Sequence, residues 1–548
     1  MKDVVANLRK KWQDYLFAGI VILLLVTGFY FRFELAKNKL YWVDEAETAI
    51  DSLNTIERGG PRSDFRGNVV FNENWNNSIY HGWLPFIMSG LFFRLFGTSD
   101  FVGRIPYLIS YVVSFYILYL ICQKLFGKKK WFILTTLIFY ALHSQFLSNE
   151  YQIRYYAFAV LFGFLQFYNY INLLENSNQK NILKFGITSI LLFHIHLPFF
   201  AVIHFVMLLV LFLRNKNEFW HTSVYFFGLN VLNAVIFLLY TGKTTRLITT
   251  IWSILKLRAF IIFPAIIIAF LFFIFLNMYI KQNQTILNML FLITAGAGFC
   301  VYFFVVPLTL MFAASLLALL FFMLVIFKKE KVNLASIILL IALMTYIITP
   351  FIAPYADYRP RASLGVVPIV FLGFVSVVSE LPIIKNSGLI KKILAVALIA
   401  YIIANFINCV PGVYARGTND ALKYNEISKI PDLNQLPVFS LEGTPVFAWY
   451  SEEFSRVYNL KYLIYDVDKE AAGGWPEYNK SQLGDFIFLP RKDSYRIMRG
   501  FCGVRNECPP DFDIDEAMAK YDEFRKINNC SRVNDFDLCH YNHTYYLQ

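Results

Sequence analysis

The sequence predicts an α-helical polytopic membrane protein with about thirteen transmembrane helices, followed by a C-terminal extracytoplasmic domain of α/β or mixed type. Two observations predict this class. Apolar runs long enough to cross a bilayer recur from Tyr15 to about Val410, and the loops on one side of them are basic. Composition agrees: of 548 residues, 57% are hydrophobic and 16% charged, with a mean hydropathy of +0.49. A soluble chain carries about 25% charged residues. A formal charge of +12 would suggest nucleic acid in a soluble protein. Here the basic residues lie in short loops between apolar runs, as the positive-inside bias requires, so no nucleic-acid partner is expected.

The first run, Tyr15 to Phe33, follows Lys2, Arg9, Lys10 and Lys11. It is longer than the core of a cleaved signal peptide and lacks a small-residue cleavage site. It therefore reads as a retained signal-anchor with a cytoplasmic N-terminus. Spans are expected at 15–34, 104–123, 131–148, 156–174, 183–197, 199–213, 221–240, 259–280, 286–305, 308–327, 335–353, 363–380 and 391–410. In that order the cytoplasmic loops carry Lys124 with Lys128, Lys129 and Lys130, then Lys180 and Lys184. Arg214 and Lys216, Lys281, Lys328 with Lys329 and Lys331, and Lys385 with Lys391 and Lys392 follow. The stretch from Trp83 to Phe96 is shorter than the roughly twenty residues a span needs. Counting it would put Lys128–Lys130 outside, so it is expected to lie as a helix in the outer interface.

Residues 1–410 thus form a transmembrane domain with a first outer loop at 35–103, and residues 411–548 an extracytoplasmic soluble domain. The localisation expected is the plasma (inner) membrane. Cys502, Cys508, Cys530 and Cys539 all fall in the tail, which suggests two disulfides with three pairings open. A zinc site is the rival reading, though the spacings fit it poorly.

Residues that can carry chemistry collect where spans end on the outer side. Asp44, Glu45 and Glu47 follow the first span; Asp44 and Glu47 would share a helix face while Glu45 points elsewhere. A carboxylate at the membrane surface can act as general base toward an acceptor hydroxyl, or can simply favour the positive end of a helix. The next outer junction, from Ser148 through Glu150, Gln152 and Arg154 to Tyr156, suits sugar binding or an interfacial aromatic belt. Arg359 and Arg361 stand at the start of a late span, where they can grip a phosphate or anchor in headgroups. Lys243, Arg246, Lys256 and Arg258 form a second outer basic group. His194 and His196 leave room for a divalent metal or a substrate hydrogen bond, and the sequence points to no other cofactor.

Taken in order, these junctions resemble the GT-C superfamily, in the branch of protein O-mannosyltransferases and the lipid A aminoarabinose transferase. Val43-Asp44-Glu45-Ala46 resembles the family's Asp-Glu motif, and Tyr80-His81-Gly82-Trp83-Leu84-Pro85 its His-Pro-Pro-Leu-Tyr segment. Leu95-Phe96-Gly97 and Gly103-Arg104-Ile105-Pro106 resemble its Leu-Phe-Gly…Arg-Leu-Pro-Ser stretch, and Arg154-Tyr155-Tyr156 its Glu-Ala-Arg-Pro-Tyr element. Arg359 to Pro368 adds the later Arg-Tyr…Pro piece. Gly82 replaces the usual proline, Tyr107 the usual serine, and Gln152 stands at the second acidic position in the simplest alignment.

The resemblance implies a GT-C fold, a polyprenyl-phosphate-linked sugar donor, and inverting transfer to a glycan, lipid or protein acceptor on the outer face. It implies Asp44 as general base, with Glu45 and Glu150 as the other acidic catalytic candidates. Arg359 and Arg361, with Arg258 and Lys256, would neutralise the departing phosphate; His81, Gln152, Arg154, Tyr156 and His196 would bind substrate. The rival classes are a lipid or polysaccharide transporter or flippase, and a polymerase or ligase of surface polysaccharide. A transporter predicts broken helices or ionisable groups deep within spans.

Overall fold

The computed structural model describes residues 2–41, 43–59, 82–127 and 129–196 as continuous stretches, with short pieces elsewhere up to residue 540. The chain divides into two compact units. The first comprises Met1–Leu35, Ile79–Leu84 and Tyr107–Val413; the second comprises Ala36–Ser78, Pro85–Pro106 and Tyr414–Gln548.

Helix α1 (Lys2–Asn38) is followed by α2 (Val43–Arg58), α3 (Leu84–Phe96), α4 (Asp100–Phe126), α5 (Lys130–Leu142), α6 (Ser144–Asn149), α7 (Tyr156–Glu175) and α8 (Gln179–Phe193). Among the described residues, four helical segments are long and apolar enough to cross a membrane: Lys11–Asn38, Asp100–Phe126, Lys130–Asn149 and Tyr156–Glu175. They coincide with the first four expected spans. The spans expected from residue 199 onward lie outside the described residues, apart from isolated positions.

Contacts within each unit fix the directions of these helices. In the first unit Tyr111 of α4 stacks on Tyr140 of α5 and Phe126 meets Phe132, so α4 runs antiparallel to α5. Lys130 of α5 pairs with Asp14 while Arg32 meets the Ala141 carbonyl, so α5 runs parallel to α1. Tyr107 packs on Phe158 and Lys124 pairs with Glu175, which aligns α7 with α4. Gln166 of α7 donates to Ser189 of α8 at 2.6 Å and accepts from Thr188 at 2.7 Å, polar glue of the kind that joins helices where lipid offers no hydrophobic drive. The four long helical segments therefore alternate in direction.

Two elements depart from the expected spans. The third span is not one helix: the backbone turns extended at His143 (φ −68°, ψ 132°), separating α5 from α6. The fifth begins at Gln179, capped by the Asn178 side chain, and ends at Phe193, so His194 and His196 stand beyond it.

In the second unit, α3 is thirteen residues long and two-faced. Pro85, Phe86, Ser89, Gly90 and Phe93 are buried, while Leu95 and Phe96 are exposed. A Cβ on Gly90 would fall 2.3 Å from the Ser52 carbonyl of α2, so only glycine allows this close crossing. One face packed on α2 and one apolar face exposed suit a helix lying in an interface. The tail contributes β3 (Val438–Ser440), β4 (Val457–Asn459), β5 (Asp485–Leu489), β6 (Ser531–Val533) and β7 (Phe536–His540), after a small pairing of β1 (Asp64–Phe65) with β2 (Asn68–Val69). They form a mixed sheet in the order β4-β3-β5-β7-β6, parallel among the first three and antiparallel thereafter. Cys530 and Cys539 are disulfide-bonded across the β6–β7 hairpin; Cys502 and Cys508 lie outside the described residues.

A short strap in the first unit explains why the sequence has glycine at position 82. Gly82 N–H donates to the Ile195 carbonyl at 3.2 Å and Leu84 N–H to the His194 carbonyl at 3.3 Å. A Cβ at residue 82 would sit 1.7 Å from the His194 oxygen. Backbone cannot yield there as a side chain could. Gly82→Ala is expected to cost about 1–3 kcal/mol or more, seen as a lowered melting temperature in detergent. Gly19→Ala, with nothing within 4 Å of the added methyl, should be neutral or slightly stabilising by the same measurement.

Candidate functional site

Asp44 and Glu45 fall on the first turn of α2, where negative charge complements the helix dipole, and Glu47 follows just after it. They do not share one environment. Asp44 and Glu47 are half-buried, and Glu45 is 1% exposed. Glu45 turns into the second unit and meets Arg104 of α4 in a two-pronged pair: Nε donates to Oε1 at 2.9 Å and Nη2 to Oε2 at 2.6 Å. The same guanidinium donates to the carbonyls of Ala36 (3.0 Å), Leu40 (3.3 Å) and Lys39, and lies 4.7 Å from the centre of the Tyr41 ring. Those carbonyls belong to the end of α1 and the residues just after it. Helix ends leave such oxygens without intrahelical partners, so Arg104 closes α1 as it holds Glu45.

A second arginine repeats the arrangement in the first unit. Arg32 of α1 and Glu150, just past α6, are both fully buried. Nε and Nη2 donate to Glu150 Oε2 at 3.0 and 2.7 Å. Nη1 donates to the Gly28 and Ala141 carbonyls at 2.9 and 3.0 Å, and Nη2 to the Tyr140 carbonyl at 3.2 Å. All five N–H donors of the guanidinium are thus used. Tyr140 OH donates to the other Glu150 oxygen at 2.9 Å, and the Tyr111 ring lies 3.9 Å beneath the cation. Burial pushes the Glu150 carboxyl above the usual carboxylate range, and the Arg32 guanidinium beside it offsets only part of that rise. The break at His143 leaves the last carbonyls of α5 without helical partners. Arg32 takes two of them, and His143 Nδ1 accepts the Gln145 N–H to cap α6.

Beyond Glu150 the chain turns tightly. Gln152 N–H donates to the Asn149 carbonyl, and Arg154 N–H returns to the Gln152 carbonyl at 2.7 Å. Gln152 Nε2 donates to the Ser148 carbonyl at 2.7 Å, and its Oε1 is buried with no hydrogen-bond partner. Arg154 is buried with its guanidinium 5.8 Å from the Tyr155 ring, and Tyr155 stacks on His196 at 4.2 Å and 12°. His196 Nδ1 accepts the Phe199 N–H at 3.3 Å, which fixes its hydrogen on Nε2. Tyr156 is buried at the start of α7. Nearby in sequence to this pair, His194 Nδ1 accepts the Trp83 indole N–H at 2.8 Å, so its hydrogen too sits on Nε2. The first unit therefore brings Gln152, Arg154, Tyr155 and His196 into one turn-and-stack, and gives Trp83 and His194 a second anchor.

Three solved structures are similar to this chain at low identity. It matches an oligosaccharyltransferase of Archaeoglobus fulgidus, in complex with zinc and sulfate, at a TM-score of 0.47 and 13% identity, over 88% of this chain and 69% of that one. It matches ArnT of Cupriavidus metallidurans bound to undecaprenyl phosphate at 0.40 and 11%, over 96% and 98% of the two chains. The same ArnT in its apo state matches at 0.39 and 11%, over 89% and 95%. No protein-family model matches the sequence, and no curated protein sequence matches it. Among the described residues, no three His, Cys, Asp or Glu side chains converge as a metal-binding group. Glu45 and Glu150 are both held by guanidinium groups instead.

His81, Lys256, Arg258, Arg359 and Arg361 lie outside the described residues. Sequence reasoning missed Arg32, Arg104 and Trp83 as site-forming residues. Arg32 carried a usable signal: a guanidinium inside a span must be paired. The two kinds of ion pair predict different costs. Arg104→Ala leaves Glu45 buried without its cation, and an expected loss of about 3–5 kcal/mol should appear as a sharp fall in melting temperature. Lys124→Ala, which breaks the partly exposed pair with Glu175, should cost about 1 kcal/mol or less in the same assay.

Proposed function

We propose that this chain is a glycosyltransferase that moves a sugar from a polyprenyl-phosphate donor to an acceptor on the outer face of the plasma membrane. The observation that carries the reading is the different fates of the acidic candidates. Glu45 and Glu150 are each held inside an arginine fork, whereas Asp44 stands half-buried on the first turn of α2. Asp44 is then the general base, and Glu45 and Glu150 serve the reaction by holding the segments around them.

In this reading Asp44 takes the proton of an acceptor hydroxyl as its oxygen attacks the anomeric carbon of the donor sugar. The bond from that carbon to the phosphate oxygen breaks, and the polyprenyl phosphate departs with the electron pair. Attack opposite the leaving group inverts the anomeric centre. Phosphate is a good leaving group, so no general acid is demanded. Arg359, Arg361, Arg258 and Lys256 stabilise the departing charge, and Gln152, Arg154, Tyr156, His196 and His81 bind substrate.

The Cys530–Cys539 disulfide supports an extracytoplasmic tail, because such bonds persist in oxidising compartments. The tail is then the accessory domain expected at 411–548, contributing to stability or acceptor recognition. A transporter reading would make the break at His143 part of a substrate path. The groups at the broken ends are instead satisfied by Arg32 and His143 within the fold.

A test is sugar transfer by the full chain in nanodiscs, from a panel of undecaprenyl-phosphate-linked hexoses and pentoses to lipid, glycan and peptide acceptors. Wild type should turn over at least one donor, and Asp44→Asn should lower kcat by about a hundredfold or more at unchanged melting temperature. Undiminished transfer in Asp44→Asn would remove the base. Movement of donor across sealed vesicles with no acceptor consumed would favour the flippase.

A further inference from the structure

We propose that Arg32 is a positioning residue for the substrate-binding turn Gln152–Tyr155, acting through Glu150; the proposal rests on the glycosyl-transfer reading above. One guanidinium holds both ends of an eleven-residue excursion of chain. At the entry it takes the Tyr140 and Ala141 carbonyls, and at the exit it takes the Glu150 carboxylate. Between these points lie the break at His143 and the whole of α6. The excursion is therefore closed on itself by a single buried side chain, itself fastened to α1 through the Gly28 carbonyl.

The exit of that closed segment sets the turn. Gln152 follows Glu150 by two residues and is tied back to Asn149 and Ser148, which belong to α6. The Arg154 N–H folds onto Gln152, and Tyr155 lies flat on His196. Any shift of the Glu150 carboxylate is passed to Gln152 and Arg154 through a short, hydrogen-bonded backbone with little slack. Tyr140 adds a second hold, its hydroxyl on the Glu150 oxygen that the guanidinium leaves.

Neutralising Glu150 would require only a positive charge. The geometry needs more: a planar fork with donors pointing at carbonyls on one side and a carboxylate on the other. Lysine supplies a charge and three donors from one atom, and cannot span both ends of the excursion. Arg32→Lys thus separates a positioning role from a purely neutralising one.

The experiment uses the full chain in nanodiscs and compares wild type, Arg32→Lys and Tyr140→Phe. Hydrogen exchange over residues 150–155 is read together with kcat and KM for the panel donor that wild type turns over. The expected result for Arg32→Lys is a folded protein whose exchange rises about tenfold or more in this turn alone. Its kcat falls about tenfold or more while KM stays within about threefold, because misaimed groups lose rate before affinity. Tyr140→Phe, which leaves the ion pair intact, should move both readings the same way by less. Unchanged exchange in folded Arg32→Lys overturns the proposal, as does raised exchange with wild-type kcat. If Arg32→Lys does not fold, the same two readings on Tyr140→Phe decide. If wild type turns over no donor in the panel, the glycosyl-transfer reading has failed, and the exchange comparison alone decides whether Arg32 sets this turn.

Discussion

A helix that stops or breaks near a bilayer exposes carbonyl oxygens that lipid cannot satisfy, and this constraint organises the described part of the molecule. It is met twice by the same device. Arg104 covers the carbonyls that end α1 and holds Glu45; Arg32 covers the last carbonyls of α5 and holds Glu150. An arginine buried in apolar surroundings costs several kcal/mol unless its charge and donors are all matched. A carboxylate for the charge and helix-end carbonyls for the remaining donors supply that match, and the carbonyls gain partners in return. Each unit carries one such clamp within itself.

The clamps bear on chemistry by dividing carboxylates that look alike in sequence. Asp44 and Glu45 are neighbours, yet the helix rotation between them sends Glu45 into a guanidinium fork and leaves Asp44 half-buried. Glu150, the carboxylate at the second outer junction, is equally engaged. The turn that follows it carries Gln152 and Arg154, with His196, its hydrogen on Nε2, stacked on Tyr155.

Much of this was legible in the sequence, for particular reasons. The spans at 15–34, 104–123 and 156–174 were readable because apolar length is close to a direct physical requirement for crossing lipid. Helical spacing correctly separated Glu45 from Asp44 and Glu47, and fourteen apolar residues were too few for a span at Trp83–Phe96. The break at His143 was invisible, since no glycine or proline marks it; it depends on Arg32, more than a hundred residues away. Position 82 could be seen to depart from the usual proline, but its reason lies in the His194 carbonyl, a contact that no local pattern encodes. Arg104 was read as one letter of a motif, and its partnership with Glu45 spans fifty-nine residues. The end of α8 before His194 was missed because the apolar run continues past the last helical turn.

The most direct test of the account is a cryo-electron microscopy map of the protein in a lipid nanodisc, bound to an undecaprenyl-phosphate-linked sugar and an acceptor analogue. The account predicts Glu45 on Arg104 and Glu150 on Arg32, as in the protein without ligand, with the acceptor oxygen within hydrogen-bonding distance of Asp44. A map in which Glu45 or Glu150 has left its arginine to meet the acceptor oxygen, with Asp44 turned away, would contradict it.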